Sequence, residues 1–326
     1  MSKPRVFLTR LILQSGLKLV QDFCEAEIWS GEIPPNRDEL LHHVHGRNGL
    51  LCLLTDRIDA EVMDAAGAGL KVISNCAVGV DNVNVPAATA RGIPVGNTPG
   101  VLTEATADFA FALLMAAARR VVEGERQVRS GGWKTWSLDT LLGADFAGTT
   151  LGLVGFGRIG RAVARRATGF GMRIIFSDPH PAEPEPGVNA IQVDFDTLLR
   201  ESDFISLHTP LTNETRGLMN ADAFAKMKPT SVLVNTSRGP VVDQEALYEA
   251  LKSRFIFAAA LDVTVPEPLP TDSPLLTLEN CLIVPHIASA SWQTRQKMSR
   301  MAAENLLAGL KGEHLPNCVN PEVYGR

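Results

Sequence analysis

Six residues in the middle of the chain, Gly155-Phe156-Gly157-Arg158-Ile159-Gly160, have the types and spacing to hold a pyrophosphate. They follow an apolar run, Leu151 to Val154, and open a helical pattern from Arg158 to Phe170, so the glycines stand at a strand-to-helix turn. In that setting Gly155 permits the tight turn, Gly157 lets a phosphate approach the backbone, and Gly160 lets helix and strand pack closely. The amides of Arg158 and Ile159 at the helix start then face the anion. Asp178 ends the next apolar run, 18 residues after Gly160. A carboxylate there accepts hydrogen bonds from a ribose hydroxyl and repels a 2′-phosphate, which makes NAD(H) the preferred coenzyme. Nearby cations can override that preference and admit NADP(H).

Three more motifs lie downstream: Asn235-Thr236-Ser237-Arg238-Gly239, then Leu261-Asp262-Val263 leading to Pro266-Glu267-Pro268, then Pro285-His286-Ile287-Ala288-Ser289. Taken singly, Arg238 reads as a surface ion pair, Glu267 as a turn cap and His286 as a satisfied structural histidine. Their order and spacing, behind a glycine loop that lies in mid-chain rather than near the start, resemble the D-isomer-specific 2-hydroxyacid dehydrogenases over nearly the whole chain. The resemblance implies that Arg238, Glu267 and His286 are the catalytic set, and the chemistry agrees. Reducing a 2-keto acid needs a proton for the carbonyl oxygen as hydride reaches the carbon, and an imidazole titrates near working pH. An anion on the ring's other nitrogen favours the imidazolium. A guanidinium can bind the substrate carboxylate and polarise the keto oxygen.

The same resemblance implies further contacts. Val78 and Gly79, in Ala77-Val78-Gly79-Val80-Asp81, would hold the substrate carboxylate with backbone amides, where a glycine allows close approach. Thr106 would lie beside the nicotinamide, Thr209 and Pro210 along the adenosine side, and Asp262 at the nicotinamide carboxamide or ribose. Thr236 and Ser289, with Arg238 and His286, complete the expected coenzyme contacts. Four segments are closer to one subgroup, the glyoxylate/hydroxypyruvate reductases: Leu50 to Asp56, Thr98 to Thr103, Gly131 to Trp136 and Glu267 to Pro270. That likeness implies a small, fairly apolar pocket walled by Leu53 and Leu54, and reduction of glyoxylate to glycolate or of hydroxypyruvate to D-glycerate. Subgroup members that favour NADPH carry a basic residue where this chain has Asp178, so the likeness supports the substrate more than the coenzyme. Other readings stay open: a 3-phosphoglycerate dehydrogenase, with Arg57 meeting a phosphate but without a regulatory extension; a D-lactate-type enzyme; or, in another class, an NADH-sensing binding protein like the corepressors that share this fold.

Positioning these residues takes two sheets. Val6 to Leu8, Leu50 to Leu54 and Lys71 to Ser74 read as strands, with helical spacing over Asp38 to Val44 and Asp59 to Ala66. A second series has strands at Leu151 to Val154, Arg173 to Phe176, Phe204 to Leu207, Val232 to Asn235, Ala258 to Leu261 and Leu282 to Val284, with a helix at Gln244 to Lys252. This alternation predicts two doubly wound, parallel-sheet α/β domains, one Rossmann-like and inserted into a flavodoxin-like substrate domain. Thr103 caps a buried helix from Glu104 to about Arg119, and an amphipathic helix after Ser291 returns to the first domain. The expected boundaries are 1–103 with 289–326 for the substrate domain and 104–288 for the coenzyme domain.

Composition narrows the partners. The 326 residues are 45% hydrophobic and 21% charged, a profile that builds cores, and the net charge of -5 offers no basic face to nucleic acid or anionic lipid. Five scattered cysteines form no CxxC pair and point to a reducing, cytoplasmic setting, with no signal peptide in view. His42, His43 and His45 lack the carboxylate or cysteine partners of a metal site, so none is expected. The segment from Arg119 to Phe146, with Trp133 and Trp136, is long for a connection. In the resembling family it belongs to an arm that crosses to a second subunit, and a homodimer is expected, with Trp136 reaching the partner's active site.

Overall fold

The computed structural model describes residues 3–180 and 185–325. The chain divides into two compact units, Met1–Leu102 with Ala290–Arg326, and Thr103–Ser289.

The first unit is built on β1 (Arg5–Leu8), β2 (Glu25–Ile28), β3 (Gly49–Cys52), β4 (Val72–Asn75) and β5 (Val95–Gly96), in the order β2-β1-β3-β4-β5. All pairings are parallel, which is the flavodoxin-like order. Every residue of β3 and β4 is buried, as strands covered on both faces must be. Helices α1 (Gln14–Phe23), α2 (Arg37–Val44), α3 (Ala60–Ala66) and α4 (Val85–Ala90) connect them. Side chains satisfy the first amides of three: Asn36 with Glu39 forms a capping box on α2, Asp59 caps α3 and Asn84 caps α4.

The second unit holds α5 (Thr103–Ala118), α6 (Val121–Arg129) and seven parallel strands: β6 (Thr150–Val154), β7 (Arg173–Ser177), β8 (Ala190–Gln192), β9 (Phe204–Leu207), β10 (Val232–Asn235), β11 (Ala258–Leu261) and β12 (Cys281–Ile283). Their order, β12-β11-β10-β9-β6-β7-β8, reverses between β6 and β9, the switch point of a dinucleotide-binding sheet. Alternate strand residues feed opposite faces. Leu151, Leu153, Val232, Val234, Ala258 and Ala260 pack with α5 and with α7 (Arg158–Thr168). Val154, Ile205, Leu207, Leu233 and Leu261 pack under α8 (Phe195–Glu201), α9 (Ala221–Lys226) and α10 (Gln244–Lys252). After this unit the chain returns to the first as α11 (Trp292–Lys311), capped by Ser291. Met298, Ala302, Leu306 and Leu310, four residues apart, form its buried stripe over β3 and β4. Its contact with α1 is tight: a Cβ on Gly16 would lie 2.1 Å from the Ser299 carbonyl oxygen.

Several elements differ from the sequence expectation. Thr103 is the first residue of α5 rather than its cap, and Ser289 falls in the second unit, each moving a domain boundary by one residue. β3 stops at Cys52, so Leu53 and Leu54 belong to the loop beyond it. Helix α6 interrupts the segment read as a plain connection; it has no buried residue, so packing does not mark it in the sequence. The strands β2, β5 and β8 are short sheet-edge pieces without an apolar run. Among the described residues no helix is long and apolar enough to cross a membrane.

Candidate active site

The glycine loop takes the form its spacing dictates. Gly155 has φ +90, and a Cβ there would lie 2.7 Å from the His208 carbonyl oxygen. A Cβ on Gly160 would lie 2.3 Å from the Gly155 oxygen, so helix and strand meet this closely only because Gly160 is bare. Phe156 is buried and stacks on Phe176 of β7, ring centroids 4.0 Å apart, which anchors the loop to the sheet. Gly157, the N-cap of α7, has no side-chain cap, and a Cβ there would enter open space. The first-turn amides, Arg158 and Ile159 included, are thus left for an anion.

Asp178 follows β7 directly. Its Oδ2 accepts from the Phe156 N–H at 2.8 Å and its Oδ1 from the His180 N–H at 2.9 Å. Each oxygen keeps a further lone pair for a ribose hydroxyl. Thr209 and Pro210 follow the end of β9, Thr209 half-buried and Pro210 exposed. Thr236 follows β10, and its buried hydroxyl oxygen has no hydrogen-bond partner in the described residues, an orphan that a bound coenzyme would satisfy. Thr106 is buried near the start of α5, and Ser289 is half-buried at the end of the second unit. A bare-backbone cradle, a carboxylate at the next strand end and an orphaned hydroxyl together fit a dinucleotide.

The charged residues gather at the same ends of neighbouring strands. His286 Nδ1 pairs with Glu267 Oε2 at 2.9 Å, which leaves Nε2 without a partner among the described residues. Glu267 Oε1 accepts from the Thr264 N–H at 3.0 Å, so the carboxylate is fixed at both oxygens. Burial pushes the Glu267 carboxyl up, but hydrogen bonding and charge from His286, the Thr264 amide and the Arg238 guanidinium outweigh it, and the pKa lies below the ordinary glutamate value. Arg238 leaves β10 in extended conformation, with its Nη1 donating to the Ser237 carbonyl at 2.8 Å.

Two supports, Asn235 and Gly239, were not assigned a role from sequence, and a third, Asp262, was expected only at the nicotinamide carboxamide or ribose. Asn235 Oδ1 accepts from the Ser237 N–H and hydroxyl, and its Nδ2 donates to the Arg238 carbonyl at 2.9 Å, so one amide folds the arginine turn. Gly239 lets that turn touch the segment bearing Glu267: a Cβ there would lie 2.0 Å from the Thr264 carbonyl oxygen. Asp262 is 1% exposed, and its oxygens accept from the Ile287 and Ala288 N–H groups at 2.6 and 2.9 Å. Burial raises its pKa, partly offset by those two amides. Its main-chain oxygen also accepts the His286 N–H, at 2.9 Å, which holds His286 in the left-handed region at φ +51. What Asp262 visibly does is hold the histidine turn, work that both its oxygens share. The presence of Asn235, Gly239 and Asp262 inside the three motifs was the available signal.

Val78, Gly79 and Leu53 lie in the first unit, at the C-terminal ends of β4 and β3. Of the histidines weighed for a metal, His43 stacks on Phe7 at 5.3 Å and pairs with Glu27. Among the described residues no group of three or more histidine, cysteine or acidic side chains could hold a metal ion.

Comparison with known proteins agrees with this geometry. Residues 111–288 match the family model of the D-isomer specific 2-hydroxyacid dehydrogenase NAD binding domain. A glyoxylate reductase of Korarchaeum cryptofilum is 54% identical over 325 residues, covering 98% of this chain and 97% of the relative. A solved protein of Thermus thermophilus superposes with a TM-score of 0.91 at 51% identity, over 97% of this chain and 99% of that one. An NADPH-dependent glyoxylate/hydroxypyruvate reductase of Sinorhizobium meliloti superposes with a TM-score of 0.85 at 31% identity, over 98% of each chain.

Proposed function

We propose that this chain, which belongs to the D-isomer-specific 2-hydroxyacid dehydrogenase family, reduces glyoxylate to glycolate or hydroxypyruvate to D-glycerate. It is an NAD(P)-dependent oxidoreductase by that membership, and the choice of acid is the part inferred. The observation that carries the reading is the Glu267–His286 pair with Nε2 left open. When bound, the nicotinamide supplies the hydride. His286 gives the Nε2 proton to the carbonyl oxygen, and Glu267, ionised below the ordinary glutamate range, stabilises the imidazolium before transfer. Arg238 binds the substrate and polarises the carbonyl. The peptide amides of Val78 and Gly79 take the carboxylate, and Leu53 limits the pocket to small acids.

Asp178 supports NADH over NADPH: both its oxygens are fixed by backbone N–H groups, so its charge cannot easily swing away from a 2′-phosphate. The Sinorhizobium relative's NADPH dependence shows that the family admits the other choice. The test is oxidation of NADH and of NADPH with glyoxylate, hydroxypyruvate, pyruvate and phosphohydroxypyruvate. Glyoxylate or hydroxypyruvate with NADH should give the highest kcat/KM. A clear preference for phosphohydroxypyruvate would favour the 3-phosphoglycerate dehydrogenase reading. Tight NADH binding with no turnover of any acid would favour the redox-sensing one.

A homodimer is part of the same reading. Beyond α6, Trp133, Trp136, Leu138 and Leu142 are 60, 75, 81 and 63% exposed, a run of large apolar side chains that a second copy would cover. Trp136 then narrows the partner's pocket. Sedimentation at the mass of a single chain would overturn the dimer, and unchanged substrate preference in Trp136→Ala would remove that role.

A further inference from the structure

The loop after β4 has its backbone turned by the residues behind it. The Ala77 carbonyl accepts from the Thr98 N–H at 2.8 Å, the Val78 carbonyl from Asn97 Nδ2 at 2.8 Å, and the Gly79 carbonyl from Asn75 Nδ2 at 3.0 Å. These peptides are trans, and a trans peptide carries its N–H opposite its C=O. The N–H groups of Val78, Gly79 and Val80 therefore point away from Thr98, Asn97 and Asn75. Among the described residues none of the three donates to a protein acceptor. Amides left without a protein acceptor are donors that an anion can take without calling on a cationic side chain.

The clamps are themselves fixed. Asn75 is fully buried, and its Nδ2 also donates to Asn82 Oδ1 at 3.0 Å. Asn82 Nδ2 in turn donates to the carbonyls of Leu53 and Asp56, at 2.9 and 3.0 Å. The segment bearing Leu53 and the loop bearing Val78 and Gly79 are thus held in one frame by two side-chain amides. An asparagine suits this work, because it can donate to a carbonyl while adding no charge that would repel or trap an anion.

We propose that Asn75 and Asn97 are positioning residues for the substrate carboxylate, acting only through the peptide groups of Val78, Gly79 and Val80, with Asn82 locking Asn75 and the Leu53 segment in register. The inference rests on the keto-acid reading above and extends it to side chains that do the orienting rather than the binding.

The test uses Asn97→Ala and Asn75→Asp, each compared with the parent. Binding of oxamate, a carboxylate with an amide in place of the reactive carbonyl, is titrated in the presence of NADH. KM and kcat for glyoxylate and the NADH dissociation constant are measured alongside. Oxamate affinity should fall and KM should rise about 10- to 100-fold, the scale of a lost hydrogen bond to a charged group. NADH affinity and kcat should stay within about threefold, because an amide misplaced here loosens ground-state and transition-state binding alike. Unchanged oxamate affinity, or NADH affinity falling together with it, would overturn the proposal. Asn97 is only half-buried, so Asn97→Ala decides the matter if Asn75→Asp does not fold. If the parent reduces glyoxylate while the variants bind oxamate as it does, the clamps fail and the substrate reading stands. If the parent turns over no keto acid while the variants still lose oxamate binding, the clamps stand and the substrate reading fails.

Discussion

The two units use the same parallel-sheet design and arm it differently. On the proposed reading, the chemistry at the strand ends of the second unit sits on charged side chains: Asp178, Arg238, Glu267 and His286. At the strand ends of the first it sits on the backbone, with Asn75, Asn82 and Asn97 turning peptide groups rather than offering charge. The difference follows from the task. A group that gives up a proton must titrate, and only a side chain can do so here. A group that holds an anion through the reaction works best as a fixed dipole, which needs no reorganisation.

If that division holds, the largest effect belongs to the one residue that moves a proton. His286→Ala should lower the reduction rate by about two to four powers of ten while NADH affinity survives, the range for losing a general acid. Comparable rates in variant and parent would erase the contrast. Next comes Gly239→Ala, which touches no substrate but forces a methyl against the Thr264 carbonyl and spreads the Arg238 and Glu267 segments. Steady-state kinetics should show kcat/KM about 10- to 100-fold lower, as expected for misplaced catalytic groups. Full activity would mean the two segments need not touch.

The smallest effect, and the sharpest, is Glu267→Gln. Its carboxyl lies below the ordinary glutamate value, so the anion is present throughout the neutral range and the pair's contribution to stability is complete above that ordinary value. That contribution is lost only as pH falls through the lowered folded-state pKa. Replacing the anion with a neutral amide should move the alkaline limb of reduction to lower pH and reduce kcat about tenfold at neutral pH. A pH profile superposable on the parent's would show that Glu267 orients the ring without charging it.

Much of this was legible in the residues. The glycine loop declares itself because a tight turn and a close approach admit so few residue types. Apart from the edge strand β8, the strands of the second unit read as largely apolar runs, and Gln244–Lys252 was found with its true ends. What stayed hidden had weak local pattern. Glu25–Ile28 alternates acid and apolar and gains its strand character only by pairing with Arg5–Leu8. Helix α6 buries nothing. The roles of Asn75, Asn82, Asn97 and Asn235 depend on which carbonyl each amide reaches, and contacts set by folding leave no spacing to read. Asp262 was visible as a motif residue, but only the structure shows both its oxygens spent on the Ile287 and Ala288 amides.

The contact between Gly16 and Ser299 sets an order of events during synthesis. The stretch Thr103–Ser289 is contiguous and can close its sheet as soon as it leaves the ribosome. The five-stranded sheet cannot be roofed until α11 has emerged, because Met298, Leu306 and Leu310 cover β3 and β4. The earliest-made strands are therefore the last to be completed, and a released chain truncated after residue 289 would carry bare, aggregation-prone strands on its first unit.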